Sequence, residues 1–279
     1  MKDKLKIGYV GLGGRGQGQM GLTLEMEDVD VVAVCDVYED RVQEALKTIR
    51  EKRPELRAEG YSDYRKLVAR PDLDAVVVTS SWQTHVRIAE AAMRAGKYAA
   101  FEVGGASSIE ECWRIVRAYE ETGVPCMMLE NCCYGREELA LLSMIKKNIF
   151  GELIHLDGAY AHDLRDEITG GLIRRHYRFR NFQRRNGDLY PTHALGPIAN
   201  MLSINRGNRF TMLTSMASKS RGLHDYAVQK FGADHEYAKI NWNEGDIVTT
   251  LIKCANGETI RLRHDDSLAR IYSRELCVR

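Results

Sequence analysis

Three glycines, Gly11, Gly13 and Gly16, are followed twenty residues after the last by an acid, Asp36. Residues of these types at this spacing can hold a pyrophosphate and a ribose. The apolar run Leu5 to Val10 leads into Gly11-Leu12-Gly13-Gly14-Arg15-Gly16, and a second run, Val29 to Cys35, ends on Asp36. Gly11 permits a tight turn off a strand, Gly13 lets the backbone approach the pyrophosphate, and Gly16 lets the next helix pack close. The N-terminus of that helix offers free N–H groups and partial positive charge. Asp36 is placed to accept hydrogen bonds from the adenosine ribose hydroxyls. An acid there also repels a 2′-phosphate. The implied cofactor is NAD rather than its phosphorylated form.

A second set of residues could move protons. Tyr160 and His162 alternate on a strand-like run and therefore share a face. Tyr190 and His193 are three apart at a helix start, with Pro191 suited to the first turn. Glu130 leaves the end of the last strand of the first half. Each has a plainer reading: a half-buried strand face, a histidine bonded to backbone, a carboxylate capping the next helix. The histidines lack zinc-ligand spacing such as H-E-x-x-H, which predicts no metal. Arg174, Arg175, Arg178, Arg180, Arg184 and Arg185 form a basic stretch. It reads as a loop that lends Arg178 to a pocket, with the others at a subunit contact or in solvent.

The elements that must position these groups fall into two patterns. Strand candidates at Leu5–Val10, Val31–Cys35, Ala75–Thr79, Tyr98–Glu102 and Pro125–Leu129 alternate with helical patterns at Gly14–Met26, Glu39–Arg50, Thr84–Ala95 and Ser108–Glu121. Short apolar strands between helices imply a parallel sheet covered on both faces. Near Glu130 the pattern changes. A helix from about Tyr134 to Asn148 precedes a strand at Glu152–His162, an irregular stretch from Thr169 to Asp188, and a short helix near Thr192–Leu202. Strand candidates follow at Phe210–Ala217, Ile247–Cys254 and Thr259–His264. Asn256-Gly257 between the last two predicts a two-residue hairpin turn. The expected architecture is α/β: a Rossmann-type doubly wound parallel sheet over 1–130, and an α+β domain on an open, mostly antiparallel sheet over 131–279.

Composition narrows the class. The 279 residues are 44% apolar and 28% charged, with formal net charge +1. That balance gives no general pull toward nucleic acid or a membrane surface. No apolar stretch reaches the length of a membrane span. The N-terminus runs straight into the first strand without room for a signal peptide, so the expected location is cytoplasmic. Seven cysteines show no framework spacing. Cys35, Cys112 and Cys126 read as reduced core residues.

The layout resembles the glucose–fructose oxidoreductase and inositol dehydrogenase superfamily. Its dehydrogenases carry Glu-Lys-Pro after the fifth strand, with a lysine that helps move the hydroxyl proton; this chain has Glu102-Val103-Gly104-Gly105. Leu129-Glu130-Asn131-Cys132-Cys133-Tyr134, Gly158-Ala159-Tyr160-Ala161-His162-Asp163 and Gly187-Asp188-Leu189-Tyr190-Pro191-Thr192-His193-Ala194-Leu195-Gly196-Pro197 resemble the NAD-dependent glycoside hydrolases of family 109, as does Tyr272-Ser273-Arg274. The best-known activity in that family is α-N-acetylgalactosaminidase. There are departures. Ser80-Ser81 precedes Trp82 where the family has Thr-Pro, and Cys133 replaces a more usual polar residue. Relatives often carry an export signal, and they continue beyond the position of Arg279, so the resemblance implies that the last strands of the second domain are lacking here.

The resemblance implies a redox route: oxidation at C3 of a sugar, loss of the C2 proton, elimination at C1, water addition and re-reduction. It makes Tyr160 the base at C2, with Arg178 or a protonated histidine lowering its pKa, and His193 or His162 the acceptor of the C3 hydroxyl proton. Glu130 would hold sugar hydroxyls, and Tyr190 and Tyr272 would line the pocket. Ser80, Trp82, His85, Glu102 and Asn131 join the glycine segment and Asp36 as candidate cofactor contacts, although Trp82 also reads as core and His85 as a helix start. The expected protein is an NAD-dependent glycosidase acting on α-linked N-acetylgalactosamine, associating as a homo-oligomer. The competing expectations are a sugar or polyol dehydrogenase and a sugar- or nucleotide-binding protein weakened as a catalyst.

Overall fold

The computed structural model describes residues 4–279. The chain forms two compact units, one ending at Leu129 and the other spanning Glu130–Arg279.

The first unit contains β1 (Leu5–Val10), α1 (Gly14–Thr23), β2 (Val29–Cys35), α2 (Glu39–Lys52), β3 (Glu59–Tyr61), α3 (Tyr64–Val68), β4 (Ala75–Val78), α4 (His85–Arg94), β5 (Tyr98–Phe101), α5 (Ile109–Thr122) and β6 (Cys126–Met128). Its six strands run in the order β3-β2-β1-β4-β5-β6, and every pair is parallel. Strand alternation feeds two cores. Tyr9, Val31, Val34 and Val77 face α1 and α2. Val10, Val32, Cys35, Val76 and Val78 face the other way, onto Ile88, Ala89 and Met93 of α4. Being covered on both faces is why these strands read as unbroken apolar runs. The expected sheet is thus found, with β3 and α3 added; Glu59–Tyr61 is too short and polar to show a period. Ser108 Oγ accepts the Glu111 N–H at the start of α5, and Gly123 ends that helix at φ +66.

The second unit contains α6 (Arg136–Lys146), β7 (His155–Ala161), α7 (Arg165–Thr169), α8 (Arg178–Arg184), α9 (Thr192–Met201), β8 (Phe210–Ala217), α10 (Gly222–Phe231), β9 (Val248–Cys254), β10 (Thr259–Asp265) and β11 (Cys277–Val278). The sheet order is β11-β7-β10-β9-β8. Only β7 and β10 pair in parallel, so the sheet is mostly antiparallel, as expected. Its core holds Leu156, Ile252, Ile260 and Leu262 from strands against Ala194, Ile198 and Met201 of α9. Burying each large aliphatic side chain stabilises by about 1.5–3 kcal/mol.

Three expectations change. The stretch expected to be irregular contains α8 and part of the site, because its apolar residues Phe179 and Phe182 are buried although arginines surround them in sequence. The β9–β10 turn is not a two-residue loop. Gly257 N–H closes on the Cys254 carbonyl at 3.2 Å and Cys254 N–H on that of Glu258 at 2.8 Å, leaving three loop residues. Gly257, at φ +107, therefore follows the turn instead of sitting in its centre. Cys112 is exposed, and all seven cysteines are free.

Among the described residues no helix is long and apolar enough to cross a membrane.

Candidate functional site

In the first unit the candidate cofactor residues gather around the first strand's exit. Gly11 sits at φ +100, and a Cβ there would lie 2.3 Å from the Ser80 amide nitrogen. A Cβ on Gly16 would lie 2.1 Å from the Gly11 carbonyl oxygen. Only glycine lets turn, β4 loop and α1 close on one another. Gly14 is the opposite case: nothing lies within 4 Å of where its Cβ would be. The nearest atom to such a position on Gly13 is 3.7 Å away, on Arg41. Open space therefore faces the N-terminus of a ten-residue helix with no acid in its first turn. An NAD pyrophosphate fits there.

Asp36 does more than its spacing suggested. Leu12 N–H donates to its Oδ2 at 2.7 Å and Tyr38 N–H to its Oδ1 at 3.0 Å. The carboxylate thus pins the glycine loop, and its remaining lone pairs are available to ribose hydroxyls. Arg41 Nη1 lies 3.8 Å from Oδ2. Arg15 donates to Glu102 at 2.9 Å, and Gln19 donates to the same carboxylate oxygen. Ser80 bonds Thr84. His85 opens α4 with its ring enclosed: Nε2 lies 2.9 Å from the Ser80 carbonyl, and burial holds its pKa down. In this arrangement the ring supports the loop that carries Ser80. Trp82 is core, and Gly104, at φ +100, places its backbone against that indole; a Cβ would lie 2.1 Å from the ring. Val103, in the segment Glu102-Val103-Gly104-Gly105, is buried.

In the second unit Tyr160 is the centre of an aromatic cluster. Its ring centroid lies 4.6 Å from Tyr190, 5.3 Å from His193, 5.9 Å from His162 and 6.4 Å from Tyr272. The Tyr160 hydroxyl lies 3.2 Å from His162 Nδ1. His162 in turn meets Tyr272 edge-on at 5.0 Å. Small residues make this convergence possible. Gly158 shares the Tyr160 face of β7, and a Cβ on it would lie 2.8 Å from the Ala194 Cβ in α9. A Cβ on Gly196 would lie 2.9 Å from Glu130 Cγ. Both bring α9, and with it His193, close in.

His193 Nδ1 lies 2.8 Å from Glu130 Oε1. Burial opposes charge on His193, but the Cys132 sulfur and the Glu130 carboxylate outweigh it and hold the imidazole up at about 9. Burial likewise works against the Glu130 carboxylate, and the His193 partner nonetheless keeps it below the usual range. The pair is an ion pair at neutral pH. Glu130 also accepts the Cys132 N–H at 2.9 Å. The capping reading and the pairing are both realised by one side chain. Asn131, beside it, is exposed.

One expectation is reversed. The Tyr160 pKa was expected to be depressed, with Arg178 or a protonated histidine supplying the charge. The Arg178 guanidinium lies 5.9 Å from the Tyr160 ring centroid and 4.8 Å from that of Tyr190. Burial of the phenol outweighs this attraction and pushes its pKa up. Burial thus favours the neutral phenol, whose hydroxyl has His162 Nδ1 as its neighbour at 3.2 Å. Arg174, Arg175, Arg180 and Arg184 are exposed.

Behind the cluster lies a buried charge network that motif reasoning did not include. Asp266 Oδ2 is 3.4 Å from Arg178 Nη1 and 3.2 Å from His264 Nε2. Glu244 Oε1 is 3.5 Å from His264 Nδ1, and Glu167 pairs with Arg178 Nε at 2.8 Å. His264 stacks on Tyr160 at 6.4 Å. The one available signal was the polar end of an alternating strand, His264-Asp265-Asp266.

Comparison with known proteins places this geometry. Residues 5–130 match the oxidoreductase family with an NAD-binding Rossmann fold, and residues 134–279 match the C-terminal domain of glycosyl hydrolase 109. The chain belongs to glycosyl hydrolase family 109. The first unit of this family 109 chain is an NAD-binding Rossmann domain. An α-N-acetylgalactosaminidase of Tannerella forsythia is 42% identical over 96% of this chain and 62% of its own length. One of Shewanella oneidensis is 40% identical over 98% of the chain and 60% of its own length. The family 109 chain thus spans about 60% of these relatives. The scyllo-inositol dehydrogenase of Lactobacillus casei with bound NAD(H) and scyllo-inositol shares the fold, at 16% identity and TM-score 0.74, over 98% of this chain and 72% of that one.

Proposed function

We propose that this protein is an NAD-dependent glycosidase acting on α-linked N-acetylgalactosamine or a similar amino sugar. The observation that carries the reading is the convergence of Tyr160, His162, Tyr190, His193 and Tyr272 beside a Glu130–His193 ion pair. Gly11 to Gly16 and Asp36 hold the cofactor. When bound, NAD+ supplies reversible oxidation of the sugar at C3, which makes the C2–H acidic. Ordinary glycosidases flank the bond with two carboxylates, and the NAD-dependent ones are an exception.

The protein's own groups handle protons. The His193–Glu130 pair sits against the C3 hydroxyl. Glu130 holds the Nδ1 proton in place, and the working form is the neutral imidazole, whose other ring nitrogen accepts the hydroxyl proton while Glu130 stabilises the charge that returns; turnover should therefore rise as pH climbs toward the raised His193 value of about 9. Tyr160 takes the C2 proton as its own phenolic proton passes to His162 Nδ1, 3.2 Å away. A neutral, buried phenol is suited to that exchange because no charge stands on it at rest. Arg178 neutralises the enolate character that develops beside the ring. Tyr190 and Tyr272 provide faces and hydroxyls for the sugar. Val103 in place of the dehydrogenase lysine removes the proton carrier of simple alcohol oxidation, which favours the glycosidase over the dehydrogenase reading.

The second sheet also supports self-association. Met212, Met216 and Leu251, 64%, 79% and 49% exposed, lie on one face of β8 and β9, and light scattering should give a mass above one chain.

The test uses a chromogenic α-N-acetylgalactosaminide, catalytic NAD+ and D2O. Released phenol, deuterium at C2 and no accumulating NADH are the expected outcome. Stoichiometric NADH with an oxidised sugar would replace this reading with a dehydrogenase, and cofactor binding with neither signal would replace it with a binding protein.

A further inference from the structure

The linear sequence has no metal-ligand spacing, yet three ligand types meet in space. Glu130, Cys132 and His193 each present an atom within 4.8 Å of the other two. Glu130 and Cys132 are two apart on the turn that precedes α6, and His193 arrives from the first turn of α9. We propose that these three residues form a binding site for one thiophilic divalent cation of the Zn2+ class.

The ligand set selects the class. A sulfur, an imidazole nitrogen and a single carboxylate suit a borderline-soft ion and not Mg2+ or Ca2+, which want six or more oxygens. Three protein ligands leave the fourth tetrahedral position to water or a substrate oxygen. Bond lengths of about 2.0–2.3 Å put tetrahedral donors roughly 3.3–3.6 Å apart. The His193–Glu130 contact of 2.8 Å opens by about half an ångström when the shared proton gives way to a cation. The other donor separations, all within 4.8 Å, close by at most about 1.2 Å to reach that range. Glu130 is fixed by the Cys132 N–H, and Gly196 lets α9 press against it.

Two orphaned oxygens point the same way. Glu130, only 5% exposed, has a buried Oε2 with no hydrogen bond of good geometry, although the nearby Thr192 hydroxyl helps hold the carboxylate down. A buried carboxylate oxygen so weakly satisfied has lone pairs to offer a cation. The second belongs to Glu138. Arg274 Nη1 now sits 3.0 Å from the Cys132 sulfur, the position a cation would contest, while Nη2 holds Glu138 Oε1 at 2.8 Å. Glu138 Oε2 is buried and unpartnered. The guanidinium can leave the sulfur for that oxygen without losing its carboxylate.

A cation here occupies both members of the pair assigned above to the C3 hydroxyl. It therefore blocks turnover. That consequence rests on the proposed reaction; binding does not.

The test is a Co2+ titration of the metal-stripped protein, read by absorbance. One Co2+ per chain, a sulfur-to-cobalt charge-transfer band in the near ultraviolet and its displacement by Zn2+ are expected. The band should vanish in Cys132→Ser and survive in Cys277→Ser. Affinity should rise in Arg274→Gln, where the competing cation is gone. No band at tenfold excess Co2+, or a band that persists in Cys132→Ser, overturns the site. If circular dichroism shows Cys132→Ser unfolded, His193→Gln decides instead: it must weaken Co2+ binding by at least ~10-fold. A cobalt spectrum with unimpaired turnover at saturating Zn2+ would leave the site standing and refute the assigned role of the Glu130–His193 pair.

Discussion

In the first unit the groups proposed to meet a ligand are backbone N–H groups inside one six-residue run, Gly11 to Gly16, and the side chains around them mainly hold that run in place. In the second unit the groups are side chains from Glu130, Tyr160, His162, His193 and Tyr272, spread over more than half of that unit's sequence. Backbone chemistry depends on the absence of side chains: Gly11 and Gly16 work because a Cβ would strike Ser80 or the turn itself. Side-chain chemistry depends on a scaffold that brings distant residues together, and here Gly158 and Gly196 perform that service. The two units should therefore fail differently when altered.

Tyr160→Phe gives the largest separation. It removes the proton-carrying oxygen while keeping the ring packed against Tyr190 and His193. Turnover should fall by roughly 10²–10⁴-fold, and deuterium incorporation at C2 should disappear. NAD+ affinity, followed by fluorescence quenching, should be unchanged. C2 exchange at the original rate would remove Tyr160 from its role and leave the cluster a structural one.

His264→Gln probes the charge network behind that ring. Burial opposes the imidazolium, but Asp266 and Glu244 raise its pKa to about 10 from an ordinary 6.5. A group raised in this way contributes its full stability below about 6.5 and loses it as pH climbs through about 10. Breaking a buried ion pair costs on the order of 3 kcal/mol. At pH 6 the variant should therefore melt well below the parent, and the gap should close toward pH 10. A gap that stays constant from pH 6 to pH 10 would mean His264 is neutral in the folded protein.

These two experiments also mark what was legible beforehand. The parallel sheet could be read because buried strands between helices leave unbroken apolar runs, and Gly11 to Gly16 could be read because its function is local. Tyr160, His162, Tyr190 and His193 could be paired along the chain by period, but nothing in the sequence put Cys132 against His193 or Asp266 against Arg178. Such contacts depend on how β7, β10, α8 and α9 pack. The sign of the Tyr160 shift was missed for the same reason. A nearby arginine can be guessed from sequence, while the burial that overrides it cannot. Helix α8 is not legible in the sequence because arginines hide the apolar positions Phe179 and Phe182 that anchor it.

Gly16→Ala tests the backbone side. The added Cβ meets the Gly11 carbonyl at 2.1 Å, so α1 must shift, at a cost of about 1–3 kcal/mol in stability or in NAD+ affinity. The defect should appear as a raised NAD+ requirement. Saturating cofactor should restore turnover, which no cofactor concentration does for Tyr160→Phe. A variant with normal NAD+ affinity would place the pyrophosphate elsewhere.

Asp36→Asn is the smallest and most specific change. The amide oxygen can still accept the Leu12 N–H, so the glycine loop keeps its main tie. The amide nitrogen, however, faces the Tyr38 N–H as donor against donor, which costs some order in the loop. What the substitution removes is negative charge beside the ribose. Arg41, 3.8 Å from the carboxylate and packed over the Tyr38 ring at 4.9 Å, stays in place. With the acid neutralised, that guanidinium becomes the dominant charge near the ribose 2′-position and attracts a phosphate. The ratio of NAD+ to NADP+ affinity should fall by about tenfold, or ~1.4 kcal/mol, through weaker NAD+ binding and stronger NADP+ binding together. Isothermal titration with each cofactor measures both terms. If only NAD+ binding weakens, Asp36 acts on the cofactor through the Leu12 loop and not by charge, which would make even the acid of the first unit a servant of backbone geometry.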